Sequence, residues 1–208
     1  MQGIGKTSLL EQLRQEGVSY RKKPHEHWAK RMGNKNINLK TAKGTNMSTV
    51  GVDIGVWVYE KKMRGQNSKG PIVFRTWDFG GQREYYATHQ YFLSKRSLYL
   101  VVWKIPDGQR GLREIRQWLV NIQARAPNSP VLIVGTHYDE MAEKELLSVS
   151  EDLQQIIREK FINVVDAEKC GLPRVLDTIE VSCRTRHNIK LLCNLIYDTV
   201  FSLRPPGE

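Results

Sequence analysis

Four short runs in this chain hold residue types suited to a phosphorylated ligand. The run Trp77-Asp78-Phe79-Gly80-Gly81-Gln82 closes an apolar stretch, Ile72 to Trp77, that reads as a buried strand. An Asp at the carboxyl end of a central strand can hold a Mg²⁺ water over a nucleotide phosphate. Glycines beside it let the backbone approach a terminal phosphate with no Cβ in the way. Gln82, one residue past the phosphate-sensing Gly81, offers an amide that can orient an attacking water.

The second run, Gly3-Ile4-Gly5-Lys6-Thr7-Ser8, fits the end of a phosphate-binding loop of pattern Gly-x-x-x-x-Gly-Lys-Thr/Ser that opens a helix. Backbone amides across Gly3, Gly5, Lys6, Thr7 and Ser8 would cradle phosphates at the helix N-terminus. Lys6 would reach the β- and γ-phosphates, and Thr7 would ligate Mg²⁺. The first Gly of that pattern would fall one residue before Met1, and the strand that leads into such a loop is missing from this chain.

The third run, Gly135-Thr136-His137-Tyr138-Asp139, follows the apolar strand Val131 to Val134. A carboxylate at Asp139 can accept both N1–H and the exocyclic amine of guanine. A site built on that pair rejects a base lacking the donors by roughly 10⁴-fold or more. Taken singly, Asp139 better suits the cap of the helix that follows. The fourth run, Ser182-Cys183-Arg184, offers the Cys183 amide to a guanine carbonyl oxygen, and alone it suits a turn. Thr49, ahead of a second strand, could complete a Mg²⁺ shell when a γ-phosphate is present.

These residues need a scaffold that brings loop tips together, and the pattern of the chain supplies one. Strand and helix periodicities alternate, the signature of an α/β domain with a mostly parallel sheet. Thr7 to Gln15 reads as a helix. Val50 to Tyr59 alternates, with Val50, Val52, Ile54, Val56 and Val58 on one face. It should pair with Ile72 to Trp77 across the turn Arg64 to Gly70. A short helical segment to about Leu93 precedes the strand Leu98 to Trp103. Pro106-Asp107-Gly108 reads as a turn. Leu112, Ile115, Leu119, Ile122 and Ala126 mark an amphipathic helix ended by Pro127. Leu153, Ile156, Ile157 and Phe161 mark another, Thr178 to Ser182 the last strand, and Ile189 to Val200 the closing helix.

The net charge is +10 over 208 residues, and it is unevenly spread. Arg21 to Met47 holds eight cations against Glu26, and Lys61, Lys62, Arg64 and Lys69 form a second cluster. Without them the remainder is close to neutral, which argues against nucleic-acid binding through one basic face. The segment 20–47 reads as a basic insertion, whose other role, on anionic membrane or RNA, is weakened by its few aromatics. No apolar run reaches membrane length. Three cysteines without metal-ligand spacing fit reduced thiols in the cytoplasm.

The runs Trp77 to Trp103 and Trp118 to Asp139 resemble the Roc (Ras-of-complex) domain of ROCO proteins, most of all leucine-rich-repeat kinases. Trp-Asp-Phe-Gly-Gly, Thr-His-Gln-Tyr-Phe and Val-Gly-Thr-His-Tyr-Asp carry the likeness, which extends from Gly3 to about Leu203. It implies a Ras-like P-loop three-layer α/β sandwich over residues 1–203, with one antiparallel strand, followed by a linker at 204–208. It also implies GTP and GDP binding, Mg²⁺ at Thr7, Thr49 and Asp78, and slow hydrolysis by Gln82 with Lys6 and Thr49. His137 takes the place where many small GTPases have a Lys packed on the base. The partners implied are a COR dimerisation domain, and hence a homodimer, and a kinase domain that could bring membrane association.

Two functions remain open on the sequence: a GTPase switch, and a nucleotide-binding module that works by dimerising or docking without significant turnover. A central strand lost at the start would remove on the order of 5–10 kcal/mol, at ~1.5–3 per buried aliphatic side chain. Domain stability is only about 5–15 kcal/mol. The chain alone is therefore expected to be marginal and to bind GTP poorly.

Overall fold

The computed structural model describes residues 5–17, 52–61, 69–79 and 97–203. The basic segment 20–47, the hairpin tip, the helical segment to Leu93 and the tail 204–208 lie outside the described residues. Helix α1 spans Lys6–Glu16, strand β1 Val52–Tyr59, β2 Ile72–Phe79 and β3 Tyr99–Lys104. Helix α2 spans Gly108–Arg125, β4 Pro130–Thr136, α3 Tyr138–Glu143, α4 Leu147–Ile157, β5 Arg174–Glu180 and α5 Ile189–Leu203.

Strands β3, β4 and β5 form a parallel sheet in that order, and β1 pairs antiparallel with β2. Strand β4 is buried along its whole length, as a parallel strand covered on both faces must be. Its side chains alternate between two cores. Leu132 and Val134 face the layer of α1 and α5, where Leu9, Leu13, Leu192, Cys193 and Ile196 pack. Val131 and Ile133 face α2 and α4, against Ile115, Leu119, Leu153 and Ile157. The result is the three-layer α/β arrangement expected of a Ras-like fold.

Aromatic contacts tie the hairpin to α5. Trp57 stacks on its cross-strand partner Phe74 with centroids 4.6 Å apart. The Tyr59 hydroxyl donates to Asn194 Oδ1 at 2.6 Å, and the Tyr197 hydroxyl to the Gly70 carbonyl at 2.6 Å. Trp57 and Tyr59 are buried while Val58 is half-buried, so the aromatic edge of β1 turns inward.

Three boundaries differ from the sequence expectation. The residues read as a turn at Pro106 form a 3₁₀ turn, Ile105–Asp107, that runs directly into α2 at Gly108. Close approach explains part of this: a Cβ on Gly111 would lie 2.8 Å from the Trp103 ring, so α2 starts hard against β3. Helix α4 continues as a wider π turn, Arg158–Ile162, which carries Phe161 into the core. Strand β5 begins at Arg174, earlier than Thr178, because its ladder to β4 starts at Pro130↔Arg174. Exposed Leu176, between buried Val175 and half-buried Asp177, masks that start in the sequence. Among the described residues, no helix is long and apolar enough to cross a membrane.

Candidate functional site

At one end of the site, α1 begins after Gly5, whose φ of 83° and ψ of 22° lie in the left-handed region. Glycine adopts that conformation without the clash a Cβ brings. The Gly5 carbonyl accepts from the Leu9 amide at 2.8 Å, closing the first turn. Gly5 has no side chain with which to cap this helix start, and the first turn holds no acid. Amides at a helix N-terminus carry partial positive charge and suit an anion. Lys6 is half-buried there, while Thr7 and Ser8 are exposed.

The other end grows from the carboxyl tips of β4 and β5. The buried Thr136 hydroxyl donates to the Trp103 carbonyl at 3.1 Å and lies 2.8 Å from His137 Nδ1. One hydroxyl has one proton, so Nδ1–H is the donor to Thr136 and Nε2 keeps its lone pair. His137 itself sits at φ 64°, ψ 32°. Burial, reinforced by the Lys104 charge, holds its pKa below the ordinary 6.5. A Cβ built on Gly5 would lie 3.7 Å from His137 Cε1. The lysine loop and the His137 loop therefore meet.

Asp139 follows in the first turn of α3, with a side chain only 11% exposed. The Ser182 hydroxyl donates to its Oδ1 at 2.8 Å, and Arg184 Nε lies 3.3 Å from its Oδ2. The helix-cap alternative does not hold: His137 occupies the cap position, and no side chain bonds there. Ser182 is fully buried and accepts from the Thr185 amide at 3.1 Å. Backbone bonds lock the two strand tips together: the Val181 amide donates to the Gly135 carbonyl at 2.7 Å, and Tyr138 N–H to the Val181 carbonyl at 3.2 Å. Arg184 is 67% exposed and also pairs with Glu143. Cys183 is half-buried, and burial followed by the nearby Asp139 charge pushes its thiol pKa up.

Asp78 pairs with Asp53 as the penultimate residue of β2. Its side chain, together with Gly3, Thr49, Gly81 and Gln82, lies outside the described residues. Residues that the sequence did not single out brace the 182–188 loop. The His187 ring stacks on Tyr138, centroids 4.3 Å apart and planes 10° apart. Asn188 Nδ2 donates to the Glu180 carbonyl at 2.9 Å. Arg186 reaches α1. The faint signal for them is a run of long polar residues directly before α5. A cavity of about 270 Å³ opens beside β5, lined by Gln154, Arg158, Thr178 and Glu180 among others. None of the residues read from the sequence as ligand-binding lines it, so the site rests on the loop tips.

Comparison with known proteins identifies the family. The family described as Ras of Complex, Roc, domain of DAPkinase matches over residues 34–139. Leucine-rich repeat serine/threonine-protein kinase 1 of Caenorhabditis elegans is 46% identical over 156 residues, covering 73% of this chain and 6% of its own length. Its mouse (Mus musculus) namesake is 26% identical over 154 residues, covering 73% and 8% respectively. The solved Methanosarcina barkeri Roco2 RocCORdC, bound to GDP, aligns with 97% of this chain and 46% of its own at TM-score 0.56 and 27% identity. The chain thus spans a small part of the curated relatives it matches.

Proposed function

Since this chain belongs to the Roc (Ras of Complex) family, we propose that it binds GTP and GDP and acts as a slowly hydrolysing regulatory switch. One observation carries the reading. Gly5 at the start of α1 lies against His137, while Asp139 two residues on is held by Ser182. Residues of the phosphate-type and base-type runs are therefore neighbours, and the GDP bound to the Roco2 relative supports a guanine nucleotide as the ligand.

In this proposal Asp139 accepts from guanine N1–H and its 2-amino group, and the Cys183 amide meets the carbonyl oxygen. The amides from Gly3 to Ser8 and the Lys6 ammonium hold the phosphates. Gln82 orients a water in line with the γ-phosphorus. The bond to the β–γ bridging oxygen breaks as the new P–O bond forms, and Lys6 shares the charge that develops. Thr7, Thr49 and Asp78 form an all-oxygen set of the kind Mg²⁺ prefers, and would hold that ion, which neutralises phosphate charge when bound. With a γ-phosphate present Thr49 and Gly81 are drawn in, and hydrolysis releases them. Within a longer protein a COR domain, as in the RocCORdC relative, and a kinase domain, as in the curated relatives, are the partners that would sense the change.

Equilibrium titration with GDP followed by single-turnover GTP hydrolysis tests the reading. Gln82→Leu should retain binding and lose turnover. Binding without turnover would instead favour a nucleotide-dependent docking or dimerising module, and no binding at all, even when a lead-in strand and the first loop glycine are supplied ahead of Met1, would reject both.

A further inference from the structure

We propose that Arg186 is a positioning residue that couples the base-reading loop to the phosphate-binding helix. It belongs to none of the four runs that carry the ligand chemistry. Its backbone lies at φ 64°, a region that side-chain-bearing residues seldom enter. That conformation is held where β5 passes into α5: the Arg186 carbonyl accepts from the Ile189 amide at 3.2 Å, near the start of α5. The side chain then crosses to the far end of α1. Nη1 donates to Gln12 Oε1 and, at 3.0 Å, to Gln15 Oε1, while Nη2 donates to Glu16 Oε1 at 2.5 Å.

Gln12, Gln15 and Glu16 stand at i, i+3 and i+4, which puts them on one face of the helix. A planar guanidinium presents its donors in a fixed fork that sets the acceptors in one plane, whereas an ammonium offers three donors that rotate and fix no such plane. The Arg186–Glu16 pair is part-exposed, with side chains 37% and 26% accessible. Its value therefore lies in register more than in Coulomb energy. Leu9 and Leu13 give α1 an apolar contact with α5, and burial, being non-directional, does not by itself single out one register. The Arg186 fork fixes the position along that contact.

The loop carries this restraint to the base. Ser182, which holds Asp139, donates its amide to the His187 carbonyl at 3.2 Å and accepts from Thr185. Arg186 lies inside that closed turn, so a shift of its backbone moves Ser182. Helix α1 thus meets the base-reading loops at both ends: Gly5 against His137, and Gln12 to Glu16 against Arg186.

This inference rests on the guanine-nucleotide reading above, and its test separates the two. GDP and inosine diphosphate, which lacks the 2-amino donor to Asp139, are titrated against the full chain and against Arg186→Ala, Arg186→Lys and Lys61→Ala. The last breaks a pair with Asp198 that joins the hairpin to α5, away from the site. Arg186→Ala should weaken GDP by about tenfold, the scale of one charge-assisted hydrogen bond, and inosine diphosphate distinctly less. Arg186→Lys should recover little of the preference and Lys61→Ala should leave it intact. A preserved GDP-to-inosine-diphosphate ratio in Arg186→Ala or in the milder Arg186→Lys, with or without a lower melting temperature, overturns the coupling and leaves Arg186 a structural contact. A chain that binds GDP without preferring it, or that fails to bind it even when a lead-in strand and first loop glycine are supplied ahead of Met1, overturns the guanine reading and the coupling with it.

Discussion

The two ends of the candidate site are built by different means. The base end is a side-chain construction: Ser182 bonds to Asp139, and Thr136 bonds to His137 and to the Trp103 carbonyl, at the tips of buried strands. The phosphate end is a backbone construction, a left-handed glycine and the first amides of a helix. A side-chain network encodes discrimination, because each donor or acceptor can be mismatched by the wrong base. Helix amides encode affinity for charge and ignore the base. On the proposed function, selectivity belongs to one end and phosphate grip to the other.

Substitutions can break that division. Asp139→Asn replaces an acceptor with a donor and should cost GDP affinity by roughly 10³-fold or more, while improving relative binding of xanthosine diphosphate, which carries a carbonyl at that position. Titration with both nucleotides checks it, and unchanged GDP binding would remove Asp139 from the site. Lys6→Ala should lower affinity by roughly 10²-fold, the size of one or two charge-assisted hydrogen bonds. It should do so equally for GDP and inosine diphosphate. A changed ratio would mean that the two ends are not separable.

A smaller effect sharpens the base end alone. Ser182→Ala removes the donor to Asp139 from a fully buried position. It should reduce folding stability by about 1–3 kcal/mol, measured by chemical denaturation, with a partial loss of GDP preference. The smallest effect is a pH slope. His137 has its pKa depressed by burial, so below the ordinary 6.5 the unfolded chain takes up a proton that the folded chain resists. Stability should therefore fall as pH drops from about 6.5 toward the folded value, then level off. His137→Gln should remove that slope, and a variant with an unchanged slope would assign it to other groups.

Much of the scaffold was legible in the sequence. Leu112, Ile115, Leu119 and Ile122 announce α2 because helical spacing and one-sided burial are the same fact. The uninterrupted apolar run at Val131 announces a strand covered on both faces. Gly5 before Lys6 reads as a helix start with a special backbone. The beginning of β5 was illegible because an exposed Leu and a half-buried Asp dilute its pattern. Arg186 was illegible for a different reason: a surface Arg and a clamping Arg look alike until their neighbours are known.

By itself, then, the chain's sequence determined the strands and helices found among the described residues, the α/β fold class and the family. Those properties depend on residues a few positions apart. Only the tertiary structure decided that Asp139 takes the Ser182 hydroxyl rather than capping its own helix, and that Arg186 grips α1. Those pairs are 43 and 170 positions apart in the chain. Their meeting is set by how two cores pack on either side of one sheet, which no local spacing encodes.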